Sequence, residues 1–158
     1  FRRVLFRSIR ANEQTYTSLM NVAGEAGELD LVFQLFNEMP EQGLRQNSLA
    51  YCVLIHACGK ANKPDKILEI YEQVKAKSLY KAQAVFNSLI GAAGLCKRAD
   101  IMYTIFEEFK ELKAPLDHNS YVLLADNLEK TGDSEGAQAI RELDKDLNKS
   151  KPRAASAI

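Results

Sequence analysis

The sequence predicts an all-α protein, an α-solenoid of stacked antiparallel helix pairs, and three observations predict it. The 158 residues align with themselves at a shift of 35. Each unit so defined holds two apolar stripes of helical period, and a short polar break separates the two. The alignment places Tyr16, Tyr51, Phe86 and Tyr121 in one column and Leu19, Leu54, Leu89 and Leu124 in another. Asp30, Asp65, Asp100 and Glu135 form a third column and Leu35, Ile70, Ile105 and Ile140 a fourth, with Phe36, Tyr71 and Phe106 one residue later.

Taken in chain order, residues 1–8 have no place in this frame and resemble translated adapter sequence, so they are set aside as non-native and the true N-terminus is expected upstream. Residues 9–12 read as the tail of a preceding unit. Complete units follow at 13–47, 48–82 and 83–117. Residues 118–148 form a degenerate or capping unit, because Arg141 and Asp144 stand where the others carry aromatic or aliphatic residues. Residues 149–158, basic and containing Pro152, read as a disordered tail.

Within the first unit, Tyr16, Leu19, Met20 and Ala23 recur at i, i+3, i+4, i+7 and predict one helix. Gly27 and Glu28 interrupt it. A second stripe, Leu29, Val32, Phe33, Leu35, Phe36 and Met39, predicts the second helix, with Asp30 in its first turn, where a carboxylate complements the helix dipole. Pro40 and Gly43 close it. Asn62-Lys63-Pro64, Lys97-Arg98 and Gly132-Asp133 are the corresponding breaks, and Pro64 suits a first helical turn, which needs no amide donor. One amphipathic pair cannot bury its apolar face alone, so neighbouring pairs must stack and share an elongated core.

Composition narrows the function. Hydrophobic content of 46% supports a packed interior, while 21 basic and 21 acidic residues cancel, so no global field draws the chain to a polyanion. Three cysteines without paired spacing suit a reducing compartment. No segment is long and apolar enough to span a bilayer. Cys52 and His56 share a helix face, but with Cys58 pointing elsewhere they supply two ligands where a zinc site needs more, so no metal is expected. His118 reads as a helix-start residue. No phosphate loop, nucleophile elbow or cofactor motif is present, so neither enzymatic activity, a cofactor nor a small-molecule substrate is expected.

Thr15-Tyr16-Thr17-Ser18-Leu19-Met20, Glu25-Ala26-Gly27, Leu35-Phe36-Asn37-Glu38-Met39 and Gly43-Leu44-Arg45-Gln46-Asn47 resemble the consensus strings of the pentatricopeptide repeat. So do Phe86-Asn87-Ser88-Leu89-Ile90 and Ile105-Phe106-Glu107-Glu108-Phe109. The resemblance spans about Ile9 to Leu143. The tetratricopeptide repeat, a protein-binding scaffold with a period of about 34 residues, is the alternative; this chain has no tryptophan and keeps its 35-residue step.

The resemblance implies binding of single-stranded RNA, one nucleotide per unit, in mitochondrial or plastid RNA processing, stability or translation, with RNA-processing proteins as further partners. It also implies that the fifth and last residues of each unit read the base. These are Thr17 with Asn47, Cys52 with Ala82, Asn87 with Asp117, and Val122 in the fourth unit. The first pair is associated in the family with adenine and the third with uracil. Cys52, Ala82 and Val122 are poor hydrogen-bonding groups and imply no base choice. Gln14, Leu49, Ala84 and Asn119 would flank the bases, and Lys60 and Lys130 would meet phosphates. A helical wheel agrees in part: Gln14, Thr17, Asn21 and Gly24 fall together, opposite the apolar stripe, which predicts a free polar face.

Overall fold

The structure, a computed structural model, describes residues 11–150, without the side chains of residues 148 and 150. The expected adapter-derived segment and residues 151–158 of the expected tail lie outside the described residues. Eight α-helices run through the described residues: α1 Glu13–Glu25, α2 Leu29–Glu41, α3 Ser48–Lys60, α4 Pro64–Ala76, α5 Gln83–Leu95, α6 Ala99–Glu111, α7 His118–Lys130 and α8 Ser134–Ser150. A 3-10 turn, Leu79–Lys81, precedes α5. The odd-numbered helices begin at the four expected unit starts. The chain is all-α, an α-solenoid of helix-turn-helix repeats. One boundary moves: α8 continues through Lys149 to Ser150, where a disordered tail was expected to have begun.

Odd-numbered helices pack on one another as an inner layer; each even-numbered helix packs on the odd helix before it, and α2, α4 and α6 also pack on the odd helix after them. Small residues permit the inner contacts. A Cβ on Gly59 would lie 2.7 Å from the Ala92 backbone, and one on Gly24 would lie 3.2 Å from Ala57 Cβ. The aromatic columns fill the space between layers. Phe36 meets Tyr51 edge-on at 4.9 Å, and Phe106 meets Tyr121 in the same way at 5.6 Å. Phe109 is the hub of the third unit, with Tyr71 stacked on it at 6.0 Å, Phe86 tilted at 5.1 Å and Tyr80 edge-on at 6.4 Å.

Turn geometry repeats as faithfully as the core. Gly27, Asn62, Lys97 and Gly132 have positive φ after the first helices, and Gly43, Ser78 and Lys113 have it after the second ones. Both sets step by 35 residues. Polar bonds also tie consecutive units: Tyr71 and Lys75 both donate to Glu108 Oε2, at 3.0 and 2.8 Å, and Tyr103 donates to Asp133 Oδ2 at 2.6 Å. Lys75 holds the Glu108 carboxyl below its usual range, and burial together with Asp133 pushes the Tyr103 phenol up to about 12.

One packing column departs from expectation at its first member. Leu54, Leu89 and Leu124 are at most 1% exposed, because the preceding inner helix covers them, whereas Leu19 is 40% exposed. No described helix lies on that side of α1. In the degenerate unit, Asp144 is buried, and its Oδ2 lies 2.6 Å from His118 Nδ1. A paired carboxylate thus occupies the place where Met39, Val74 and Phe109 sit in the earlier units.

Candidate nucleic-acid interface

The interface is built from helix starts. A helix leaves its first amide protons unsatisfied, so Ser, Thr, Asn or Asp is favoured just before it. Asn12, Asn47 and Asp117 fill that place for α1, α3 and α7, each accepting from the amide three residues on. Asn47 and Asp117 are therefore N-caps as well as expected base-reading residues. Ala82 has no side-chain acceptor, and α5 begins uncapped.

The first unit gathers four expected residues around one groove of about 580 Å3, lined by Asn12, Glu13, Gln14, Thr17, Leu44, Asn47 and Leu49. Gln14 and Leu49 stand exposed on its two sides. Thr17 corrects the expectation of a free polar face: it is only 4% exposed, and its hydroxyl lies 3.0 Å from the carbonyls of both Glu13 and Gln14. A short side chain satisfied by its own helix lies flat, where a wheel drawing shows it projecting. Asn47 is held at both ends. Its Oδ1 accepts from the Ala50 amide at 3.0 Å, and its Nδ2 donates to Glu13 Oε2 at 2.9 Å. The other Glu13 oxygen accepts from the Arg45 amide at 3.1 Å, tying the loop to α1.

In the third unit the expected pair meets through a residue that the sequence reading passed over. Ser120, 1% exposed, places its hydroxyl 3.1 Å from Asp117 Oδ1, 3.4 Å from Asn87 Oδ1 and 3.2 Å from Gln83 Nε2. Its amide donates to Asp117 Oδ1 at 2.9 Å. The neighbouring Gln83 amide group and these Ser120 bonds hold the Asp117 carboxyl below its usual range. Asp117 therefore presents a carboxylate acceptor at neutral pH.

The remaining expected residues are not drawn together. Cys52 is half-buried, and burial raises its thiol despite a bond to Ser88, so it stays a weak neutral donor. Ala84, Asn119 and Val122 lie exposed, and the position paired with Val122 falls outside the described residues. Lys60 is bonded to Glu25 Oε2 at 2.7 Å, which offsets the positive charge expected to meet phosphate. Lys130 is exposed at the end of α7. Among the described residues no group of three or more His, Cys, Asp or Glu could hold a metal ion. Cys58 is buried on α3, away from the groove, and burial raises its thiol to about 12.

Comparison with known proteins bears on the same frame. A family model described as "PPR repeat family" matches residues 11–60, and one described as "PPR repeat" matches residues 49–79. Residues 11–79 thus match the pentatricopeptide repeat. Among solved structures it is similar to the crystal structure of the pentatricopeptide repeat protein PPR10 from maize, at 21% identity and a TM-score of 0.74, over 91% of this chain and 20% of that one. This chain thus spans about a fifth of the maize protein. A structure of PPR10 in complex with an 18-nt psaJ RNA element also matches, at 19% identity and a TM-score of 0.45, over 91% of this chain and 27% of that one. No curated protein matches the chain.

Proposed function

We propose that this pentatricopeptide-repeat segment binds single-stranded RNA selectively, its first and third units reading one base each and its second and fourth accepting any base. The observation that carries this reading is the groove that brings Thr17, Asn47, Gln14 and Leu49 together. The match of residues 11–79 to pentatricopeptide-repeat models and the likeness of the fold to maize PPR10 support it.

Hydrogen-bond accounting gives each pair a preference. Thr17 uses its proton on the α1 backbone and keeps lone pairs, while Asn47 keeps one amide proton after bonding Glu13. One acceptor and one donor suit adenine, which offers its N6 amine and N1. In the third unit the Ser120 hydroxyl, with one proton to give, faces Asp117 at 3.1 Å and Asn87 Oδ1 at 3.4 Å; the Asn87 amide protons are left for a uracil carbonyl, while Asp117 accepts from uracil N3. The preferred RNA in the family's parallel orientation is 5′ adenine, any base, uracil, any base. With zero formal charge and Lys60 already paired, binding by this chain is weak and best measured at low salt. Action on organelle transcripts, in the mitochondrion or plastid, belongs to the same proposal and rests on family likeness.

Fluorescence anisotropy with this RNA and its scrambled partner tests the reading. Tighter binding of the matched RNA, reduced by Asn87→Ala, is the expected result. Equal binding of both would overturn it, and salt-insensitive capture of a protein without RNA crosslinks would favour the scaffold alternative.

A further inference from the structure

The residue opening each of the first and third units is linked to the residue closing it, directly in the first and through Ser120 in the third, with opposite polarity. In the first unit Glu13 is the acceptor and Asn47 the donor, at 2.9 Å. In the third, Gln83 occupies the Glu13 column and Asp117 the Asn47 column. Here the opening residue carries the donor: Gln83 Nε2 meets Ser120 Oγ at 3.2 Å, and that hydroxyl lies 3.1 Å from the Asp117 carboxylate. The second unit, with Ser48 and Ala82, has no such pair, because alanine offers no side-chain bond.

The bond has a chemical consequence for the reading residue. A carboxamide turned end for end exchanges donor and acceptor while keeping its shape, so an unrestrained asparagine offers either pattern to a base. Glu13 can only accept, so it pulls Nδ2 toward itself, and the Ala50 amide holds Oδ1 from the other side. Glu13 is itself held, because its second oxygen accepts from the Arg45 amide at 3.1 Å.

We propose that Glu13 and Gln83 are positioning residues set before RNA arrives: Glu13 fixes which end of the Asn47 carboxamide meets the base, and Gln83, through Ser120, holds the acceptor oxygens of Asp117 in place. The proposal rests on the base-reading function above and extends it from two residues per unit to three. Copying the third unit's reading pair into the first therefore requires its opening residue as well, since Glu13 beside a new carboxylate sets two like charges together.

The test uses the full chain in four forms: unchanged; Glu13→Gln; Thr17→Asn with Asn47→Asp; and all three substitutions together. Affinity is measured for RNAs that place adenine or uracil at the first unit. The pair of substitutions alone should bind the uracil RNA poorly, and adding Glu13→Gln should restore that binding on the order of tenfold, the effect of one hydrogen bond to a charged group. In the otherwise unchanged chain, Glu13→Gln should weaken adenine preference. NMR of the RNA-free chain should show the Asn47 side-chain amide protected from exchange and released by Glu13→Ala. The proposal is overturned if Glu13→Gln alters adenine and uracil binding by one common factor in both backgrounds, or if the Asn47 amide exchanges freely in the unchanged chain. If that chain instead binds both RNAs alike, base reading itself fails and the positioning role falls with it.

Discussion

The first and third units share a scaffold and differ in their polar chemistry. Tyr16 and Phe86 are both buried, as are Leu35 and Ile105, and Phe36 and Phe106. The turns fall at Gly27 and Lys97 with the same left-handed backbone. Against that constant frame Glu13, Thr17 and Asn47 become Gln83, Asn87 and Asp117. The fold is thus carried by apolar columns and turn positions, while the polar columns to which the proposed function assigns the choice of base differ from unit to unit on that same stack.

The scaffold side of this comparison breaks most severely at Phe109, where Tyr71, Tyr80 and Phe86 meet. Phe109→Ala should cost about 3–5 kcal/mol, read as a lowered denaturant midpoint, and it should weaken every RNA equally. Gly59→Ala should cost about 1–3 kcal/mol, because its Cβ would meet the Ala92 backbone and force α3 away from α5. This variant changes the spacing between the two reading units, so the preference for adenine and uracil two nucleotides apart should fall more than binding of either alone.

The polar side is sharpened by smaller changes. Ala82→Asp supplies the cap that α5 lacks, on backbone already extended at φ −89° and ψ 109°. It should raise stability by about 0.5–2 kcal/mol in a denaturation experiment. Asp117→Ala should cost a similar cap and abolish uracil preference while leaving adenine preference intact.

Acid should separate the units most gently. The Asp117 pKa is depressed in the folded chain, so its contribution is present above the ordinary carboxylate range and is lost as pH falls through the depressed value. Uracil discrimination should fade in the same window, since a protonated Asp117 donates where uracil N3 needs an acceptor. A pH titration of RNA affinity, compared with the Asp117→Asn chain, checks this.

Most of the fold was legible because period and burial are written in the same residues. Each odd-numbered helix starts at an expected unit boundary, and the Tyr16 and Leu35 columns are core throughout, with the Phe36 column core as far as Phe106. Leu19 was misjudged because a stripe marks the face that can be covered, while its covering depends on a neighbouring helix. The proposed reading pairs come from resemblance alone, and their restraints were not legible in the sequence. Glu13 and Asn47 stand 34 residues apart at opposite ends of one unit, and Ser120 belongs to the unit after Asn87, so the pattern along the chain does not reveal the groups that folding joins. The capping role of Asn47 and Asp117 could have been found from residue type just before a helical stripe. The exposed-face argument failed at Thr17 because a wheel gives direction and ignores back-bonding to the helix.

The central claim, that two units of opposite polarity read two different bases, is tested most directly by exchanging those bases. The affinity of the full chain at low salt is compared for an RNA carrying adenine at the first unit and uracil at the third, and for one with the two exchanged. The account predicts tighter binding of the first RNA, with the difference removed by combining Asn47→Ala and Asp117→Ala. Equal affinity for both RNAs in the unchanged chain would contradict it.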